Sequence, residues 1–299
     1  MVWLWKSRNC VLIDKQSIRV ARKEELNMGM NSPAEIAKNY VTIGKNKVNT
    51  PIGKMFLMAV MAGAFIAFGG IGSSTASVGV TPASVGKLIS GCIFPGGLTM
   101  VLLAGSELFT GNCLLSIPLL EKEISVGGLL KNWIVVYFGN MVGGMLVAAG
   151  LAFSGQFNMF GGAMAVSVFS TAAAKCSLSF MDAFIKGIFC NVLVCLAVWM
   201  SFSAKDSAGK VLSLFFPILI FVVCGFEHCV ANMYYISAAL FAKAVPSYME
   251  AAVAAGVSLD SITWGNFLGT NLIPVTLGNI VGGAICVGAV YWAIYLRKK

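Results

Sequence analysis

Two ionisable side chains, Glu227 and His228, stand next to each other in the middle of an apolar run from Val211 to Phe241. A charge-capable pair at that depth in a membrane-length segment is costly unless it faces protein or a water-filled cavity. His228 is the single histidine of the chain. An unperturbed imidazole titrates near pH ~6.5, so the chemistry on offer is a hydrogen bond, or a proton, given to something that passes. Gly225 and Phe226 precede the pair, and a glycine beside polar residues suggests a broken helix. Broken backbone at membrane depth is tolerated only where it is buried or lines a path. The plainer reading of His228 is a neutral core histidine with its hydrogen bonds satisfied. An enzyme would need a second catalytic group, and no Ser/Cys–His–Asp set is apparent; Cys229 is adjacent in sequence but is expected to face elsewhere. The nine cysteines are scattered, form no C-x-x-C pair, and one histidine cannot complete a usual zinc set. They read as small apolar packing residues, and neither metal nor cofactor is expected.

The elements that must hold this pair are membrane helices. Hydrophobic residues make up 58% of the chain and charged ones 11%, with mean hydropathy +0.84, against roughly a quarter charged in soluble proteins. The net charge of +9 is not a nucleic-acid signal, because 10 of the 21 Lys/Arg lie in residues 1–54. Residues 1–27 read as a doubtful extension: Lys23-Glu24-Glu25 is what a purine-rich ribosome-binding site would encode, and the expected start is Met28. Residues 28–53 read as a cytoplasmic amphipathic segment, with Ser32-Pro33-Ala34-Glu35 as a helix start. A single transmembrane domain covers 54–296, and 297–299 form a cytoplasmic tail. Within the domain, spans are expected at about 54–71, 88–120, 133–153, 183–203, 211–241 and 264–295. The second and fifth are too long for one straight crossing of about 20 residues and read as broken, at Gly105 and Gly225. Residues 154–182 read as a moderately apolar connection. The side carrying both termini and the loops at 121–131 and 204–210 holds 17 of the 21 Lys/Arg; by the positive-inside rule it is cytoplasmic.

The two breaks share a motif. Gly105-Ser106-Glu107-Leu108-Phe109-Thr110-Gly111-Asn112 matches Gly225-Phe226-Glu227-His228-Cys229-Val230-Ala231-Asn232 as G-x-E-x-x-x-x-N, and Gly139-Asn140-Met141-Val142-Gly143-Gly144 matches Gly278-Asn279-Ile280-Val281-Gly282-Gly283. Each half then holds three spans with the broken one in the middle. An odd number per half forces opposite orientations, so the expected fold is an all-α, six-span, 3+3 inverted repeat, a pattern whose interrupted segments point to a transport site. Glu107 and Glu227 are read as structural groups at the breaks. The repeat has Leu108 where the second copy has His228, so the histidine is the functional candidate.

These motifs, together with Lys131-Asn132-Trp133 and Lys186-Gly187-Ile188-Phe189-Cys190-Asn191, resemble the formate/nitrite transporter family over roughly Asn31 to the C-terminus, and within it most resemble the hydrosulfide channels of anaerobic bacteria. The resemblance implies an aquaporin-like protomer, a homopentamer in the bacterial inner membrane, and passage of hydrosulfide, formate or nitrite, with hydrosulfide ranked first. It places His228, Thr110, Asn191 and Asn232 on the pathway, Lys175 as the attractor of anions, and Phe94, Leu98, Phe109, Val194 and Phe221 at the constrictions. A passive channel for these anions or their acids is the first reading, with no enzyme and no nucleic-acid partner expected. A proton-coupled carrier on the same scaffold, and below it a neutral-solute pore, are the alternatives.

Overall fold

The computed structural model describes residues 29–297; the segment 1–27 and the boundary at Met28 lie outside them. Helix α1 (Pro33–Asn49) opens on a capping box in which the Ser32 hydroxyl accepts from the Glu35 N–H while the Glu35 carboxylate accepts from the Ser32 N–H. The bond from the Ser32 backbone, then that from its hydroxyl, hold the exposed Glu35 carboxyl below its usual range. α2 (Ile52–Ser77) leads to the first broken crossing, α3 (Ala83–Ile93), α4 (Pro95–Leu103), a 3-10 turn at Gly111–Leu115 and α5 (Ser116–Leu120); α6 (Val126–Phe153) returns. After a 3-10 stretch at Gln156–Gly162 come α7 (Ala163–Cys176) and α8 (Phe180–Ser201). The second broken crossing is α9 (Ser207–Val223) followed by α10 (Cys229–Ala242), and α11 (Pro246–Ala254) lies beyond it. The last crossing runs from Asn266 to Tyr295 through α12 (Ile273–Ile280), two π-helical stretches and α13 (Val290–Tyr295).

Among the described residues six continuous helical stretches are long and apolar enough to cross a membrane. Their membership differs from the expected set at one place. The second broken crossing divides into helices of 17 and 14 residues, each short of a full span. Gln156–Cys176, expected as a connection, is helical and apolar enough to be counted instead. It is kinked, with Phe160 at φ 57° and Gly161 and Gly162 also at positive φ. Its one charge, Lys175, interrupted the apolar pattern in the sequence, and the structure neutralises that charge in an ion pair.

Inverted symmetry is visible in the packing. α2 lies against α6, and α8 against α12 and the π stretch that follows it. A Cβ on Gly143 would collide with the Val60 carbonyl, and one on Gly282 with that of Ile188. Small residues therefore let two backbones touch where lipid offers no hydrophobic drive to pack. Gly105 and Gly225, at φ 77° and 67°, differ: nothing lies within 4 Å of a Cβ added to either. Gly225→Ala should therefore cost only the left-handed backbone penalty, about 1–2 kcal/mol. Gly143→Ala should separate α2 from α6 and lower the thermal midpoint of the detergent-solubilised protein considerably more.

Candidate functional site

Each break releases peptide groups from their helix, and each is answered by one buried asparagine. At the first break the Asn140 amide donates to the Glu107 and Ala59 carbonyls (2.9 and 2.8 Å), and its oxygen accepts from the Phe109 N–H (2.9 Å). At the second, the Asn279 amide donates to the Glu227 and Gly187 carbonyls (2.9 and 2.8 Å), and its oxygen accepts from the Cys229 N–H (2.9 Å). The Gly-Asn pairs of the repeat are thus clamps on the break as well as packing sites. Asn140 and Asn279 were singled out by their motif, but not for this role.

The carboxylates are tied in the same matched way. Glu107 accepts from Lys47 (2.8 Å) and from Asn112 (2.7 Å), and Asn112 reaches on to Asn132 (2.9 Å). Glu227 accepts from Lys175 through both oxygens (2.9 and 3.0 Å) and from Asn232 (2.6 Å), which reaches on to Asn271 (2.8 Å). The interval from Lys47 to Lys175 equals that from Met58 to Lys186, whose carbonyls accept from the Glu107 and Glu227 N–H groups. Hence α1 is the counterpart of α7, and each half of the repeat has four helical parts. Lys47 and Asn271 were not singled out in the sequence, and Asn132 only as part of a longer motif; Asn132 and Asn271 each stand eight residues before the asparagine of a Gly-Asn pair, a shared spacing that would have found them.

His228 sits at the first position before α10 and is 2% exposed. Its Nδ1 accepts from the Ala231 N–H (3.0 Å), capping the helix, so the proton of the neutral ring is on Nε2. Nε2 lies 2.8 Å from the Thr110 hydroxyl on the opposite break. Thr110 therefore accepts from His228 and keeps its own proton to offer. The Thr110 carbonyl is held from behind by the Asn191 amide (3.2 Å) and the Cys195 thiol (3.3 Å).

Cavities open on the two sides of this pair. One, of about 580 Å³, is lined by Lys175, Glu227, Asn232 and His228, with Phe94 and Phe221 also on its wall. Those rings meet edge to face at 5.4 Å, with His228 tilted 6.0 Å behind Phe221. The other, of about 40 Å³, is lined by Leu98, Leu108, Asn112 and Lys47 and is covered by Tyr40 of α1, whose hydroxyl donates to the Gly111 carbonyl (3.3 Å). Leu108 and Tyr40 were not expected here; Leu108 holds the repeat position of His228. Phe109 packs its ring on Tyr137 and Trp133 (5.0 and 6.0 Å) and, like Val194 and Asn191, is buried but absent from both cavity walls.

A model of the family described as "Formate/nitrite transporter" matches residues 34–293. The chain belongs to the formate/nitrite transporter family. It is 38% identical over 288 residues to a probable formate transporter of Methanothermobacter thermautotrophicus, covering 89% of this chain and 98% of that one. It is 38% identical over 271 residues to the formate channel FocA of Escherichia coli (strain K12), covering 89% and 95%. A solved pentameric formate channel with formate bound superposes with TM-score 0.74 at 38% identity, covering 82% of this chain and 98% of that one. This is a family of membrane transporters and channels, so the expectation that the protein is not an enzyme holds. The expected all-helical inverted-repeat fold holds as well. None of these relatives is named for hydrosulfide, and the resemblance to that subgroup gains nothing from them.

The site makes a formate/nitrite family prediction that can be checked without transport. Lys175→Ala leaves Glu227 buried without its counter-charge, which should cost about 3–5 kcal/mol. Adding Glu227→Gln should recover much of it. Thermal unfolding of the two single variants and the double gives the coupling.

Proposed function

We propose that the protein is a passive channel through which small monovalent anions of weak acids, or the acids themselves, cross the bacterial inner membrane, with formate ranked first. Formate takes that place because the relatives quoted are named for it; nitrite and hydrosulfide belong to the same permeant class and stand behind it. The chain works as a homopentamer with one pore per protomer. The mouth covered by α1 faces the cytoplasm, in keeping with the excess of Lys/Arg on that side, and the wide cavity faces out.

The observation that carries this reading is the His228–Thr110 hydrogen bond between the ends of two broken helices, with apolar side chains on either side. An anion entering the Phe94–Phe221 aperture loses water that aromatic rings cannot replace. A weak-acid anion escapes that cost by taking a proton from the water of the wide cavity and crossing with it as a neutral molecule. The Thr110 proton, freed by the bond from His228, points a donor at the species inside. The ring is neutral as it caps α10, so it adds no fixed charge to trap an anion. Leu98 and Leu108 form the apolar exit. Asn191 holds Thr110 in place, and Asn232 holds Glu227.

Stopped-flow flux into proteoliposomes is the test, comparing formate, nitrite and hydrosulfide across pH. Formate should cross well above empty liposomes. His228→Ala should change the rate about fivefold or more, a hydrogen bond being worth about 1 kcal/mol, and should alter the pH profile. Accumulation of formate beyond the ratio set by equilibration of formic acid across an imposed proton gradient would establish the coupled carrier instead. Indifference of the pH profile to His228→Asn and Lys175→Ala would favour a neutral-solute pore.

A further inference from the structure

We propose that Lys87 and Lys186 form an anion-holding station in the wide cavity, on the wall that also carries the paired Phe94 and Phe221 rings. The inference rests on the channel reading and deepens it.

The charge balance of the cavity decides the matter. Four basic residues lie on this side of the chain: Lys87, Lys175, Lys186 and Lys243. The Lys175 ammonium is within 3.0 Å of both Glu227 oxygens, so that pair sums to zero. Lys243 is absent from the cavity wall and donates to the Leu259 and Ile262 carbonyls (3.0 and 2.7 Å). Lys87 on α3 and Lys186 on α8 do line the cavity, and neither has an ion-pair partner among the described residues. Glu227 is the one carboxylate on that wall. Asp182 lies a turn before Lys186, but its oxygen is bonded to the Ser179 hydroxyl (2.7 Å) and it is not on the wall. The residues of the cavity wall, Lys87, Lys175 and Lys186 against Glu227, therefore sum to a net positive charge.

Hydroxyls cover much of the remaining wall, with Ser74, Ser77, Ser90, Ser167 and Thr171 among them. A concave cavity of one sign concentrates counter-ions and raises their entry rate. Ammonium groups on flexible stems suit a loose hold, because they bind as point charges and let go readily. The repeat supplies an internal comparison. The counterpart of Lys186 in the first half is Met58. Lys87 stands in Ser84-Val85-Gly86-Lys87-Leu88-Ile89-Ser90, which matches Ser207-Ala208-Gly209-Lys210-Val211-Leu212-Ser213, yet Lys210 is not on the wall of the small cavity. The station therefore belongs to one mouth only.

The experiment is formate influx into proteoliposomes at sub-saturating formate, from low ionic strength to about 0.5 M, where screening acts within a few ångströms. Wild type, K87A/K186A and K87R/K186R are compared. At low salt K87A/K186A should be slower by about three- to tenfold, within the range that steering by charge provides, and its rate should no longer fall as salt rises. K87R/K186R should keep the wild-type salt slope, which separates lost charge from misfolding. Retention of the wild-type salt slope and half-saturating concentration by K87A/K186A would overturn the station. Line broadening of carbon-13 formate by the purified protein gives a readout independent of flux. Broadening by wild type and not by K87A/K186A supports the station even if formate does not cross, and equal broadening by both overturns it. Absence of wild-type flux for formate, nitrite and hydrosulfide alike would by itself overturn the channel reading.

Discussion

An unpaired peptide group in the interior of a bilayer costs several kcal/mol, and the whole arrangement follows from meeting that cost at two places. A pore through a bundle of unbroken helices would be walled by side chains alone. Breaking the helices brings backbone and the residues at helix ends to the centre, but only if something replaces the lost bonds. Asn140 and Asn279 do so with three bonds each. Each asparagine ties its own helix, the break, and the helix beyond into one rigid unit. With the breaks fixed, His228 and Thr110 arrive opposite each other without having to be held by loops.

The electrostatics follow the same economy. Each buried carboxylate meets a lysine and an asparagine, so neither half leaves a net charge near the breaks. His228 engages a backbone N–H with one nitrogen and Thr110 with the other, and so remains neutral in the position where a fixed charge would either bar an anion or bind it too tightly. In the proposed channel, the charge that draws an anion in is that of Lys87 and Lys186, set apart on the wall of the wide cavity. Attraction and passage are thereby handled by different residues in different dielectric surroundings.

Much of this was legible in the sequence. The overlong apolar runs, the G-x-E-x-x-x-x-N repeat and the single histidine were enough to place the breaks, the inverted halves and the central residue. What escaped had a physical reason in each case. Gln156–Cys176 was hidden by Lys175, whose cost vanishes only once Glu227 is brought to it from far along the chain. Lys47 and Lys175 could not be paired with their carboxylates because an ion pair leaves no local pattern. The direction of the Phe109 ring, which packs on Trp133 and Tyr137 beside Thr110, was not legible either. Direction about a single bond is decided by packing, which spacing does not encode.

Bonds that correspond residue for residue between 47–140 and 175–279 are what a duplicated ancestor would leave behind. A half-length forebear able to enter the bilayer in either direction, and to pair with an inverted copy of itself, would already have possessed both clamps and both clasps. It would have been indifferent to which face was which. Once the copies were fused, each was at liberty to drift, and the places where they differ record the drift: Leu108 against His228, Met58 against Lys186. The two mouths of the molecule differ at such positions, on a scaffold of bonds that both halves share.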